Sequence, residues 1–314
     1  MSAKNFAIIG LAGYIAKKHV LAIKSTNNNL IAALDKFDSV GFIDAFFPET
    51  DFFTEFERFD RHIEKISNTV QKINYVSICT PNYLHDSHIR FALRNNADAI
   101  CEKPLVLNPW NIDSLIEFEK KYDKKIYNIL QLRLHPTIIK LKENFNLIKP
   151  TKKYDIDLTY ITSRGKWYNY SWKGDIEKSG GIATNIGIHF FDMLIWIFGN
   201  VQSSKVFVSD NEKACGILEL ENANVRWFLS IDEKYLPSET KKQGKLSFRS
   251  IKINNEDIDF TDGFTELHTE SYKQILAGKG FRAEEAKKCI QAVFDIRNAT
   301  PIGLIGDYPS QIKL

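Results

Sequence analysis

The sequence predicts a two-domain α/β protein. A doubly wound, mainly parallel sheet comes first, followed by an α+β domain with a large, open, mostly antiparallel sheet. Three observations carry this. The 314 residues exceed the roughly 100–200 typical of one domain. Through the first 130 residues, buried-strand runs alternate with short helical patterns, as βαβ units require. After residue 150 the runs change to alternating apolar and polar positions, the pattern of half-solvated strands. We therefore expect a dinucleotide domain at 1–130 and a substrate-binding and oligomerisation domain at 131–314, with the C-terminal helix packed back on the first.

Each element follows in order. Residues 5–9 are an apolar run ending in glycine. A helical pattern spans Ala16 to Lys24, and Ser25 to Asn29 break it. Leu30 to Leu34 form a buried strand closed by Asp35. Residues 39–57, rich in Phe and acids, read as loop plus a short helix. Tyr75 to Cys79 are a third strand, stopped by Thr80-Pro81-Asn82. A helix fits His85 to Asn95, a strand Ala97 to Cys101, a helix Ile112 to Tyr122 and a strand Ile126 to Leu130. Alternating strands follow at Tyr154 to Ile161, Gly216 to Glu221, Val225 to Ile231 and Leu246 to Ile253. Glu221 to Asn224 form a hairpin turn between two of them. A helix at Ala183 to Phe198 ends at Gly199, and a last one spans Ala283 to Asn298. The face of the second sheet is expected to lie open for a subunit contact or a pocket.

Composition narrows the function. A net charge of +3 does not argue for nucleic acid or membrane. No apolar run reaches the roughly 20 residues that span a bilayer, and no basic-then-apolar leader opens the chain, so we expect a cytoplasmic protein. Cys79, Cys101, Cys215 and Cys289 contain no CxxC pair and read as buried thiols in a reducing compartment.

Gly10-x-x-Gly13-x-x-Ala16 follows the first strand. Gly10 allows a tight turn, Gly13 close approach to a pyrophosphate, and Ala16 close packing of helix on sheet. The helix N-terminus then presents N–H groups to the phosphates. Tyr14 and Ile15 lie within the same loop. Asp35, after the second strand, is placed to accept from the adenosine ribose hydroxyls, which selects NAD over NADP. Asn82 or His85, with Thr80, lines the same edge near the nicotinamide ribose. Ala99-Ile100-Cys101-Glu102-Lys103-Pro104 runs a strand into a stiff turn, delivering Glu102 and Lys103 to the carboxyl edge where such sheets bind ligands.

Asn185, His189 and Asp192 fall at i, i+4 and i+7, on one helical face. His189 reads either as a core histidine bonded to Asp192 or as a site residue. Gly187 costs about 1 kcal/mol relative to Ala in a helix, so it predicts close approach by a ligand or another backbone. An ordinary lysine, with a pKa of about 10.4, is protonated at neutral pH, whereas histidine needs little tuning to act as base.

The glycine loop, Thr80-Pro81-Asn82, the Glu-Lys-Pro turn and the helix from Gly181 through Asn185 and His189 to Asp192 together resemble the Gfo/Idh/MocA oxidoreductases, over essentially the whole chain. Asp157 to Tyr168, Ser171 to Asp175 and Tyr127 to Arg133 carry a narrower likeness to the bacterial UDP-N-acetyl-2-amino-2-deoxyglucuronate 3-dehydrogenases of lipopolysaccharide O-antigen synthesis. The resemblance implies a Rossmann NAD domain and oxidation of a sugar C3 hydroxyl near Lys103 and His189. Ordinary pKa values cast His189 as the base and Lys103 as the group that polarises the hydroxyl, and the resemblance leaves open which of the two takes the proton. Asn185 stands where the family often has Asp, and so orients and does not titrate. The resemblance also places Gln131, Trp167 and Tyr168 at the cofactor. For the acidic UDP-sugar it places Arg133, Arg164, Tyr168, Lys173, Asn185 and His189, with Lys166 and Lys178 adding charge and Trp172 an aromatic wall. It implies a homo-oligomer, dimer or tetramer, and leaves open whether NADH is released or reoxidised in place by 2-oxoglutarate. No metal is expected. The alternatives are a dehydrogenase of another sugar or cyclitol, and a non-catalytic nucleotide-sensing protein, against which Lys103 and His189 argue.

Overall fold

The apolar runs near the N-terminus become strands β1 (Asn5–Ile9), β2 (Asn29–Leu34), β3 (Asp51–Phe53), β4 (Tyr75–Ile78), β5 (Asp98–Cys101) and β6 (Ile126–Asn128). They form one parallel sheet in the order β3-β2-β1-β4-β5-β6. Strand order reverses at β1/β4, the crevice where doubly wound sheets bind ligands. Helices α1 (Ala16–Ser25), α2 (Phe56–Ile66), α3 (His85–Arg94) and α4 (Pro109–Tyr122) connect the strands. The stretch expected as loop plus a short helix at 39–57 holds a 3-10 turn, all of β3 and the start of α2.

The computed structural model describes residues 2–147, 152–258 and 266–313. The chain divides into two units, residues 1–131 with 265–287, and residues 132–264 with 288–314. Helix α5 (Pro136–Leu147) opens the second. Its sheet combines β7 (Tyr154–Thr162), β8 (Val201–Ser209), β9 (Lys213–Leu220), β10 (Ala223–Ser230), β11 (Ser247–Ile253) and β12 (Glu256–Asp257), in the order β12-β11-β7-β10-β9-β8. The sheet is mixed. The β9–β10 hairpin and the β11–β7 pair are antiparallel, as expected, while β10 runs parallel to β7. Short helices α6 (Trp167–Tyr170) and α7 (Ile176–Ser179) precede a π-helical turn at Ala183–Gly187, which continues as α8 (Ile188–Phe198). Helix α9 (Ser238–Lys242) is one turn long. Helix α10 (Leu267–Leu276) belongs to the first unit, and α11 (Ala283–Asn298) starts in the first and ends in the second.

The strand pleat sorts the second sheet's residues. Val225, Trp227 and Leu229 of β10 are fully buried, and Phe191 of α8 meets Trp227 edge-on at 5.3 Å. The opposite face is less open than expected. Ile161 and Phe228 there pack with Tyr235 and Leu236, and Tyr308 and Ile312 from the C-terminal segment join them. On the same face Arg226 pairs with Asp157 at 2.7 Å, with Asp307 at 3.0 Å and with Asp155 at 3.2 Å. The stretch Ile176–Phe198 is long and apolar enough to cross a membrane, yet 72% of its apolar window is buried inside the fold. All four cysteines are buried thiols.

Candidate active site

The glycine loop is built by close backbone approach at the β1/β4 crevice. Gly10 has φ +94°, and a Cβ there would lie 2.7 Å from the Cys79 carbonyl carbon and 2.8 Å from the Thr80 nitrogen. No L side chain fits that position. A Cβ on Gly13 would meet the Gly10 and Cys79 oxygens at 3.0 and 3.2 Å, so this glycine also serves the packing of the loop on the strand end. Ala16 is fully buried where α1 begins, as its packing role requires, and Tyr14 projects almost wholly into solvent. Ile15 precedes the first residue of α1.

Asp35 follows β2 and closes on the loop. Its Oδ2 accepts from the Ala12 N–H at 2.9 Å and its Oδ1 from the Phe37 N–H at 3.0 Å. A carboxylate has about four acceptor sites, so both oxygens keep capacity for ribose hydroxyls while their direction is fixed.

Thr80, Asn82 and His85 line the end of β4. The Thr80 hydroxyl lies 3.0 Å from Nδ1 of His88, and Asn82 is buried. His85, expected at the nicotinamide ribose, is almost fully buried. Its ring nitrogens sit 2.7 Å from the Pro104 carbonyl and 2.9 Å from the Thr80 carbonyl. The ring therefore braces the turn that carries Lys103 and is not presented to a ribose. Burial lowers the His85 pKa, against the pull of those two carbonyls. Asn128 grips the same turn from β6, donating to the Cys101 and Glu102 carbonyls at 3.0 and 3.3 Å. Glu102 is buried and Lys103 half-buried. At the end of the first unit, Gln131 has its Oε1 buried without a hydrogen-bond partner, an acceptor left for a bound group.

In the second unit a cleft of about 120 Å³ is lined by Tyr168, Lys173, Ile182, Asp210 and Arg297, among others. Lys173 Nζ stands 5.0 Å over the Trp167 ring and 5.7 Å over Trp172, so aromatic faces hold the ammonium in place. Tyr168 is buried, and its oxygen accepts from Asn185 Nδ2 at 2.6 Å. Burial raises the Tyr168 pKa, so the hydroxyl keeps its proton and can donate it to an anionic ligand. Arg164, Lys166 and Trp167 are exposed, Trp172 and His189 half-buried, and Lys178 pairs with Asp175 at 2.9 Å. Half-buried Arg297, near the end of α11, is a cleft cation that sequence reasoning missed. An arginine at a helix end carries no pattern that marks it.

Arg133, expected at the substrate acid, is engaged inside the second unit. It is buried, and it donates from Nε and Nη2 to the two oxygens of Asp192 at 2.9 and 2.7 Å. Asp192 thus serves a structural ion pair, while Asn185 serves Tyr168. Gly187 is approached by side chains, not by a backbone: a Cβ there would lie 2.5 Å from Leu229 Cδ1 and 2.9 Å from the Phe191 ring.

Residues 4–129 match the oxidoreductase family with an NAD-binding Rossmann fold, and residues 146–237 match its C-terminal alpha/beta domain. The chain belongs to the Gfo/Idh/MocA oxidoreductases. Among solved structures, a WlbA (WbpB) dehydrogenase from Thermus thermophilus in complex with NAD and alpha-ketoglutarate is 45% identical, with TM-score 0.94 over 99% of this chain and 100% of that one. A structure of that dehydrogenase with NAD and UDP-GlcNAcA is 46% identical, with TM-score 0.92 over 96% and 97%. Among curated proteins, the putative oxidoreductase YteT of Bacillus subtilis is 28% identical over 132 residues, 41% of this chain. The chain spans about a third of the length of the first curated relatives it matches, 31% of YteT and 36% of the next.

The residues present fit the family's cofactor. Gly10 leaves no room for a side chain, Asp35 is aimed by two backbone N–H groups, and the Gln131 oxygen lacks a partner. The chain carries the NAD-binding Rossmann fold of the Gfo/Idh/MocA oxidoreductases.

Proposed function

We propose that the protein oxidises the C3 hydroxyl of UDP-N-acetylglucosaminuronic acid to the 3-keto sugar nucleotide, in the cytoplasm, for O-antigen sugar synthesis. The observation that carries this is near-complete likeness, at 45–46% identity, to a dehydrogenase crystallised with NAD and with UDP-GlcNAcA. The second unit supports it. Lys173 and Arg297 supply positive charge, Trp167 and Trp172 hold Lys173 by its charge, and the Tyr168 hydroxyl is an oriented donor. Diphosphate and carboxylate groups need this chemistry, and a neutral cyclitol does not. Arg164 adds an exposed cation on the same loop.

Lys103 polarises the hydroxyl and stabilises alkoxide character as the proton leaves. His189 takes that proton, since imidazole is the side chain whose ordinary pKa suits the task. Asn185 orients Tyr168 and, as an amide, does not titrate. NAD, when bound, accepts the hydride from C3. We take 2-oxoglutarate as the acceptor that reoxidises NADH, because the relative was also crystallised with alpha-ketoglutarate. A dimer or tetramer is the assembly we expect.

Single-turnover absorbance at the NADH band, with NAD and UDP-GlcNAcA, tests the reading. A rise in the wild type and its loss in Lys103→Ala and His189→Ala, with NAD still bound, are expected. A faster rise with myo-inositol than with UDP-GlcNAcA, or wild-type rates in either variant, would overturn it. Lys173→Ala should raise KM for the sugar nucleotide by about tenfold or more, the scale of losing one charge-assisted contact.

A further inference from the structure

Behind the Lys103 turn lies a buried cluster that the reaction above does not use. Glu102, at the end of β5, faces His19 of α1 and His268 of α10. Its Oε1 is 2.9 Å from Nε2 of His19 and 2.8 Å from Nε2 of His268, and all three residues are buried. A carboxylate only accepts, so both Nε2 atoms carry hydrogen. Nδ1 of His19 lies 2.7 Å from Tyr272 Oη, which lies 2.6 Å from Ser77 Oγ. Burial disfavours a second proton on His19. Its Nδ1 is therefore the acceptor, and the bonds run in one direction, from Ser77 to Tyr272 to His19 to Glu102. The other Glu102 oxygen accepts from the Lys103 backbone N–H at 3.3 Å. Burial alone would raise the Glu102 pKa, yet the hydrogen bonds from His19 and His268 hold it well below the usual range.

We propose that His19 and His268 are positioning residues: acting through Glu102, they hold the Lys103 turn in fixed register with the dinucleotide loop. The mechanical logic is direct. His19 sits one turn into the helix that begins at the glycine loop, and α10 packs along that helix. The carboxylate they grip belongs to the residue before Lys103. A small displacement of that turn moves the ammonium off its target, and misplacement by about 1 Å costs on the order of 100-fold in rate. The proposal rests on Lys103 acting at the reacting hydroxyl.

Chemistry separates the two histidines. His268 offers one donor to Glu102, and a glutamine amide nitrogen can take the place of an imidazole Nε2. His19 uses both nitrogens, Nε2 donating and Nδ1 accepting; a glutamine amide also has a donor and an acceptor, but both sit on Cδ and cannot occupy the Nδ1 and Nε2 positions together. We therefore expect His268→Ala and His19→Ala to lower kcat about 10- to 100-fold with KM for NAD within about threefold. His268→Gln should recover kcat to within about threefold of wild type, and His19→Gln should stay slow. Nitrogen-15 NMR of the NAD-loaded protein should show His19 neutral, protonated at Nε2. Wild-type kcat in both alanine variants would overturn the proposal. So would His268→Gln as slow as His268→Ala, or a His19 tautomer protonated at Nδ1. The same three ligand atoms lie within 4.8 Å of one another, close enough for a metal ion. Zinc or another divalent metal at one per chain in protein purified without chelator would replace the hydrogen-bonded cluster and overturn the proposal as well. Variant-to-wild-type ratios are read on whichever sugar the wild type oxidises, so failure of the UDP-sugar reading leaves this test standing.

Discussion

His88 packs against Phe56, ring centroids 5.7 Å apart, with Nδ1 3.0 Å from the Thr80 hydroxyl. Burial, and secondarily the neighbouring His85, lowers its pKa from 6.5 to about 4. The folded protein therefore keeps His88 neutral where the unfolded chain protonates it. Between pH 6.5 and 4 the unfolded state binds more protons, so stability falls on acidification, by on the order of 1.4 kcal/mol per pH unit where the slope is full. Glu102 acts in a lower window: its folded pKa is depressed below 4.5, so its contribution is complete above 4.5 and is lost as pH falls through the folded value. The urea midpoint should drop between pH 7 and pH 4.5, and His88→Gln should drop less; equal drops would assign the slope to other groups. At this scale the sequence was readable where one residue answers a backbone demand. Gly10 and Asp35 could be placed because a strand end, a tight turn and a carboxylate at the next strand end imply one another. The Arg133–Asp192 pairing was not legible, because a cation after a strand does not reveal that a carboxylate 59 residues later will take it. His19 and His268 escaped because 249 residues separate them, and only the folded helices bring both to Glu102.

Between elements, packing at two places makes firm predictions. Gly187 ends the π-helical turn directly over Leu229 of β10. Gly187→Ala should overpack that contact and cost about 1–3 kcal/mol. Leu229→Ala in the same chain should relieve part of the cost, and a double-mutant cycle by urea unfolding would show the coupling; additive effects would mean that the clash is not there. The Arg133–Asp192 pair joins the start of the second unit to α8. Removing either partner alone, as Asp192→Ala or Arg133→Ala, should cost about 3–5 kcal/mol, because a buried charge loses its counterion. Arg133→Met with Asp192→Leu should lose much less, and a double variant as unstable as the two singles summed would contradict the ion-pair account. Element recognition followed burial. β1, β2, β4 and β5 read as apolar runs because both of their faces are covered. β3 was hidden by its length of three residues, and β8 by its place at the sheet edge, where Gln202, Ser203 and Lys205 face water or the rim. The π-helical turn left no trace, since it changes the hydrogen-bond step without changing the residue types.

For the molecule as a whole, the family and both halves of its fold were legible, because the loop, the turn and the helix motif sit at element ends fixed by a common topology. The outer face of the second sheet was not: Arg226 with its three aspartates, and Tyr308 and Ile312, partly cover it through contacts far apart in sequence. The proposed reaction removes hydride from C3 of an acidic UDP-sugar. Single-turnover oxidation of UDP-GlcNAcA deuterated at C3 measures it most directly. The proposed reaction gives slower NADH formation than with the protiated sugar and recovery of the deuterium on the nicotinamide ring. Deuterium retained at C3, with NADH formed at an unchanged rate, would contradict it.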